Sequence, residues 1–421
     1  MSGYTLPHIR RNLALTAILV AFIGLGLAYS VINPLHEATD ELRHYRFVRH
    51  LILYRRLPVQ GQEECRSQSH HAPLFYVLGA VATGWIETGR DLCYEPPANP
   101  FWAYRYWEVG RDNKNQYLHG PDEEFPWRGE ALAAHLLRAM NVLVGAGVVW
   151  LTWAAGRALW PQRPALALGA TAFVAFNPMF LYLAGAINND VLAAFSGAAV
   201  TLACLHLLRD PQGIRPRWGV WLGGLLGLAL LSKFSLAAVI LPIEVAMTWV
   251  AWPKRQWRAW LSANTLVVVI AAALAGWWFV RNQLLYDEPT GFQMVTELWG
   301  VRDPADSVGL AISELPYFWS SLWGRFGFGQ IPLPQAIYTG LFGLTIVGGL
   351  GLLLDFGFWI LDFGLGRRHL PSVRRPPSTV STLLFLLLDV LVFFGVVFSY
   401  MLVSPAGALG RFFFPALPAF A

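Results

Sequence analysis

The sequence predicts an all-α polytopic membrane protein, and three observations carry that prediction. Of 421 residues, 55% are hydrophobic and 14% are charged, against about 25% charged in a typical soluble domain. Mean hydropathy over the whole length is +0.45. Apolar runs long enough to cross a bilayer recur from one end of the chain to the other. The same composition excludes a disordered chain. The three cysteines are too few for a disulfide scaffold. The net charge of +5 belongs to cytoplasmic loops and gives no argument for nucleic acid.

The elements follow in chain order. Arg10 and Arg11 precede an apolar run from Leu13 to Ile32. Basic residues before a run of this length predict a first helix, within residues 1–32, that starts in the cytoplasm. It is longer than the apolar core of a cleaved signal, and no small-residue cleavage site follows it. Further stretches lie near 131–156, 165–184, 191–208, 218–233, 236–252, 260–280, 335–363, 379–403 and 411–421, so about ten transmembrane helices are expected. The division is a first helix (1–32), a large extracytoplasmic loop (33–130), helices 2–7 (131–280), a second outer loop (281–334) and the remaining helices (335–421). RFFFPALPAFA reads as the start of a span that is incomplete here.

Charge decides the ambiguous stretch 71–88. If it does not cross, segments 8–12, 157–164, 209–217, 253–258 and 365–376 share one side of the membrane. Together they hold 14 basic residues and a single acid, Asp210. If it crossed, the last four would all lie outside, against the positive-inside rule. The stretch is therefore expected to lie in the interface.

Candidate chemistry clusters on the outer side. After the first helix, NPLHEATDELRHYRFVRHL places adjacent acids, Asp40 and Glu41, just outside the membrane. From Glu41 to Leu57, apolar residues recur at i, i+3 and i+4, which predicts an amphipathic juxtamembrane helix on the bilayer surface with a basic polar face. Thr39 can cap it, and the two acids can be plain first-turn capping acids. Asn188, Asn189 and Asp190 occupy an outer turn between two spans, where they either cap the next helix or serve a site. Lys233, at the next outer turn, either snorkels or binds phosphate. Arg281 closes a span as an interface anchor or a phosphate ligand, and Arg325 is a weaker candidate cation. His44 and Asn189 are placed to contact an acceptor or the loop. No solenoid repeat or inverted repeat is visible.

Carboxylates and cations in an outward-facing hollow suit a lipid-phosphate-linked substrate. When a sugar leaves a polyprenyl phosphate, the phosphate is already a good leaving group. One base must take the acceptor's proton, and cations must neutralise the departing phosphate. Asp40 is the candidate base, with Lys233 and Arg281 for the phosphate. Glu41 and Asp190 are candidates for orienting the acceptor. Asp40 and Asp190 would also hold a divalent metal (Mg or Mn), should one be used.

On these motifs the chain resembles the polytopic GT-C glycosyltransferases, near the dolichyl-phosphate-mannose protein mannosyltransferases and the lipid A aminoarabinose transferases. ATDELRHYRFVRHL resembles their Asp-Glu motif in the first outer loop. HHAPLFYVLGA resembles an interfacial Pro-Pro-Leu-Tyr-Tyr segment. NPMFLYLAGAINNDVLAAF resembles the segment with a second acid, GLALLSKFS a Leu-Thr-Lys stretch, WWFVRNQLLYDEP a Trp-x-x-Arg-Asn segment, and GRFFFPALPAFA a late Gly-Arg-Tyr-x-x-Pro helix start. Thr39 stands where the family usually has Pro, and Ala72-Pro73 where it has Pro-Pro.

The resemblance implies a GT-C bundle and an inverting transferase with a polyprenyl-phosphate sugar donor and a lipid, glycan or protein acceptor. It further implies Asp40 as base, Glu41 and Asp190 at acceptor or metal, and Lys233 near the donor phosphate. The expected location is a bacterial plasma membrane with the N-terminus cytoplasmic. The alternative is a transporter or flippase of a lipid-linked sugar. Cys65 and Cys93, both in the first outer loop, are either a disulfide pair or two separate thiols. His36, His44, His70 and His71 form a loose outer cluster without metal-specific spacing.

Overall fold

The computed structural model describes residues 5–102, 114–364, 377–405 and 409–421. It is built almost entirely of helices. α1 (Thr5–Ile32) is followed by a tight link in which His36 and Asp40 adopt left-handed φ of 66° and 63°, a conformation that non-glycine residues seldom take. The link joins α1 directly to α2 (Glu41–Tyr54), whose cap position is Asp40.

α3 (Leu74–Thr83) has ten residues, roughly 15 Å of helix, about half the hydrocarbon thickness. It cannot cross, in agreement with the charge argument. It lies flush on α2 and on α4 (Gly129–Leu159): a Cβ on Gly79 would stand 2.8 Å from Leu137 and 3.1 Å from Val48.

Next come α5 (Pro164–Ala175) and α6 (Pro178–Ala184), bent by 61° about Asn177. Pro178 cannot continue the ladder of α5, and the Asn177 carboxamide accepts from Phe180 N–H at 3.0 Å to start α6. α7 (Asp190–Leu208), α8 (Pro216–Ser232), α9 (Ile240–Lys254, preceded by a 3₁₀ turn) and α10 (Trp257–Tyr286) complete this half. α10 runs on to Tyr286, which puts Arg281 inside a helix. Gly219, Gly223 and Gly227 form a stripe along α8, in register with Ala263, Val267 and Ala271 of α10. Small residues four apart let two helices approach closely in lipid, and the register makes α8 and α10 parallel.

Segment 287–334 carries α11 (Phe292–Trp299), α12 (Pro304–Ser313), α13 (Leu315–Trp323) and a two-stranded hairpin, β1 (Arg325–Phe326) with β2 (Ile331–Pro332). α14 (Gln335–Gly364) and α15 (Pro377–Val403) follow. A 3₁₀ turn, Gly410–Ala416, leads into α16 (Leu417–Phe420).

Among the described residues seven helices are long and apolar enough to cross a membrane, or eight if α5–α6 is one bent span. The chain is an integral multi-pass membrane protein, with fewer spans than the ten expected. The shortfall lies in two stretches. α8, with 17 residues, is at the lower limit for a span, and 411–421 holds a buried 3₁₀ turn that leads into α16 at Leu417.

The basic turns gather at one end of the bundle. Arg209 donates to Leu159 O at 2.8 Å, and Lys254 to Pro211 O at 2.9 Å. Asp210 pairs with Arg215 and Arg217 at 2.6 and 2.7 Å. The expected cytoplasmic segment 365–376 lies outside the described residues, as do the side chains of Arg10 and Arg11.

Two readings of α2 need correction. Its basic face is not an open surface on the bilayer. Arg46 and Arg49 are buried under the outer loop, which supplies Cys93 O, Tyr94 O and Gly89 O as acceptors and Glu130 as a counter-charge. The terminal nitrogens of both guanidiniums donate to these acceptors. Thr39 does not cap the helix either, because its hydroxyl donates to Gly327 O of the β1–β2 turn.

Candidate functional site

At the end of the bundle opposite the basic turns, four charged side chains from four separate parts of the chain meet. Asp40 occupies the cap position of α2 but makes no capping hydrogen bond. Its left-handed backbone directs the carboxylate away from the helix amides, and Oδ2 faces Arg411 Nη2 at 3.3 Å. Its other oxygen lies 3.5 Å from Arg43. Asp190 opens α7, yet capping there is done by its neighbour: Asn188 Oδ1 accepts from the N–H groups of Asp190 and Val191 at 3.1 and 3.3 Å. The Asp190 carboxylate is thereby left for Lys233, which donates to Oδ1, and for Arg411 Nε, 3.3 Å from Oδ2. Arg411 therefore bridges two carboxylates 150 residues apart in sequence, and Lys233 completes the set. Phe412 roofs the pair of cations, 4.3 Å from Lys233 Nζ and 5.7 Å from the Arg411 guanidinium. Burial lowers the Lys233 ammonium from its ordinary value, and the nearby Asp190 opposes that shift.

Glu41, adjacent in sequence to Asp40, has a different environment. It is buried, with Arg138 Nε and Nη2 donating to its two oxygens at 2.7 and 2.6 Å. Its oxygens also accept from Ile187 N–H at 2.8 Å and His36 N–H at 2.9 Å. Burial would raise this carboxyl, but Arg138 outweighs burial and holds it below its usual range. Arg138 spends its remaining donors on the carbonyls of Ser30, Asn33 and Pro34. The acid thus knots α4 to the end of α1 and to the 185–190 turn.

His44 stands beside the charged group. Its Nδ1 is 2.8 Å from Tyr76 Oη, and its ring stacks on Tyr76 and His71. Burial lowers His44 to about 4, so the ring is neutral at pH 7. His70 falls to about 4 for the same reason. Of the loose histidine cluster, His44, His70 and His71 come together, whereas His36 packs on Tyr45. Asn189 turns inward and donates to Ser232 O at 3.3 Å.

Arg281 and Arg325 have other partners. Arg281 donates to Pro58 O at 2.7 Å and lies over Trp278. Arg325 donates to Ser320 Oγ at 2.7 Å and to Gly329 O, and lies over Tyr317. Next to Asp40 opens a cavity of about 240 Å³, walled by Arg43, Arg46, Glu95, Tyr117 and the Trp102–Phe328 aromatic pair.

Arg411 and Arg138 were not singled out by sequence reasoning. The available signal was cost: each is an arginine within a strongly apolar run, where an unpaired charge is expensive. A divalent metal fits the two aspartates poorly in this arrangement, because Arg411 and Lys233 already match their charge. Among the described residues, no three His, Cys, Asp or Glu side chains converge as metal ligands.

Residues 96–286, just under half of the chain, match the sequence model of the dolichyl-phosphate-mannose-protein mannosyltransferases. The match agrees with the resemblance read from the motifs. No curated protein sequence matches the chain. Two similar solved structures are of ArnT from Cupriavidus metallidurans. One is bound to undecaprenyl phosphate (17% identity, TM-score 0.41, covering 96% of this chain and 77% of that one). The other is in the apo state (15% identity, TM-score 0.43, covering 96% and 75%).

Proposed function

We propose that this chain is an inverting glycosyltransferase that moves a sugar from a polyprenyl-phosphate donor to a hydroxyl or amine of a lipid, glycan or protein acceptor at the extracytoplasmic membrane face. The observation that carries the reading is the bridge of Arg411 between Asp40 and Asp190, with Lys233 on Asp190. It brings two carboxylates and two cations together, the set that such a transfer requires. The family match over 96–286 supports the donor class. It includes Asp190 and Lys233 but neither Asp40 nor Arg411, so the roles of the latter two stand on geometry.

The chemistry is a single displacement. The acceptor oxygen attacks the anomeric carbon as the bond from that carbon to the phosphate oxygen breaks, which inverts the configuration. Asp40 takes the acceptor's proton, and the bonding electrons leave with the phosphate, whose negative charge grows. Arg411 and Lys233 are placed to neutralise that growth in a site shielded from water, where such charges act most strongly. Glu41 acts through position only, because all its oxygens are occupied by Arg138 and backbone amides. Neutral His44 lies next to the base, capable of a hydrogen bond to the acceptor without competing for the phosphate.

The test uses the purified chain in proteoliposomes with a polyprenyl-phosphate sugar labelled in the sugar, supplied with envelope lipids and glycans as acceptors. The reading expects label on an acceptor in inverted configuration and release of polyprenyl phosphate. Label that crosses the bilayer still attached to its lipid would establish a transporter instead.

A further inference from the structure

The mechanism makes no use of Arg46, yet this buried arginine gathers two distant pieces of the outer loop. Its Nη1 donates to Arg66 O at 3.3 Å, and its Nη2 donates to Cys93 O and Tyr94 O, both at 3.1 Å. The backbones flanking Cys65 and Cys93 are thereby drawn to one guanidinium. Both side chains are half-buried and are free thiols in the structure. Both belong to the loop that carries Asp40, on the side opposite the basic turns. That side is extracytoplasmic, where disulfides persist.

We infer that Cys65 and Cys93 form an intramolecular disulfide that clasps the first outer loop. In a thiol–disulfide exchange, one thiolate attacks the disulfide of a periplasmic-type dithiol oxidoreductase to give a mixed disulfide. The second thiolate then displaces that enzyme. The two cysteines lose two protons and two electrons, and the oxidoreductase leaves with its disulfide reduced to two thiols. The bond closes a ring around α3, the segment that brings His70, His71 and Tyr76 to the side of Asp40. It also fixes Glu95, which pairs with Arg46 at 3.3 Å on the wall of the cavity beside Asp40. Removing loop freedom from the unfolded chain is the main way such a bond stabilises. Cys204 is buried in α7 and stays a thiol. The inference is independent of the sugar-transfer reading.

The full-length chain is purified from membranes without reductant, denatured in detergent with a maleimide reagent present, and counted by mass. One labelled cysteine, Cys204, is expected before reduction and three after it. Peptide mapping should link the Cys65 and Cys93 peptides. Cys65→Ser should leave Cys93 labelled without reduction and lower the thermal midpoint, and Cys93→Ser should mirror it. Three labelled cysteines in the unreduced wild type, or a disulfide that joins two chains on a non-reducing gel, would overturn the proposal.

Discussion

Arg138 holds Glu41 in a two-pronged pair, with both prongs at 2.6–2.7 Å and both side chains fully buried. This pair explains how two adjacent acids divide their work. Glu41 is enclosed and immobile, which fixes the start of α2. Asp40, one residue earlier, is turned out by its left-handed backbone toward Arg411 and the cavity.

The pair gives the first prediction. Removing one partner of a buried ion pair leaves an uncompensated charge, at a cost of about 3–5 kcal/mol. Arg138→Met should lower stability by at least that much in thermal unfolding of the detergent-solubilised chain. Arg138→Met with Glu41→Gln should recover part of the loss. A double variant no more stable than Arg138→Met would show that the carboxylate charge is not the cause.

A second prediction concerns the cations. Arg411→Ala should raise KM for the donor lipid and lower kcat/KM by about ten- to a hundredfold, since each factor of ten is 1.36 kcal/mol. Arg411→Lys should rescue little, because an ammonium cannot present two separate nitrogens to Asp40 and Asp190. Full activity of Arg411→Ala in a donor titration would remove Arg411 from the site.

Gly197 carries a third. A Cβ there would lie 2.6 Å from both Cβ and O of Pro415, so α7 accepts the 410–416 turn only without a side chain. Gly197→Ala should displace that turn, and Arg411 with it. The circular dichroism should keep its helix content while transfer activity falls. Unchanged activity would mean that the turn tolerates the shift.

Much of this architecture was legible in the sequence and some was not, for definite reasons. Apolar runs announced most spans, and the side of the basic residues settled that α3 does not cross, because length and charge are local properties. The bridges Arg411–Asp40 and Arg138–Glu41 link residues 371 and 97 apart. Periodicity carries no information about such partners. The basic stripe of α2 was misread because an amphipathic pattern marks two faces without saying what covers the polar one, here the loop's own carbonyls.

The fourth prediction is a pH dependence. His119 lies between Glu123 (2.9 Å) and Glu37 (3.0 Å). The hydrogen bond to Glu123 first, and then that to Glu37, raise it to about 9 from 6.5. A raised folded value means its stabilisation is complete below pH 6.5 and is lost as pH rises through about 9. The thermal midpoint should therefore fall between pH 6.5 and 9, and His119→Gln should flatten that slope. An identical slope in the variant would assign the dependence elsewhere.

The most direct measurement of the central claim is sugar transfer by Asp40→Asn in proteoliposomes, beside equilibrium binding of the donor lipid. If Asp40 takes the acceptor's proton, turnover should drop by about 10²–10⁴-fold. Donor binding should stay near wild type, because Lys233 and Arg411 remain. Turnover equal to wild type would contradict the account.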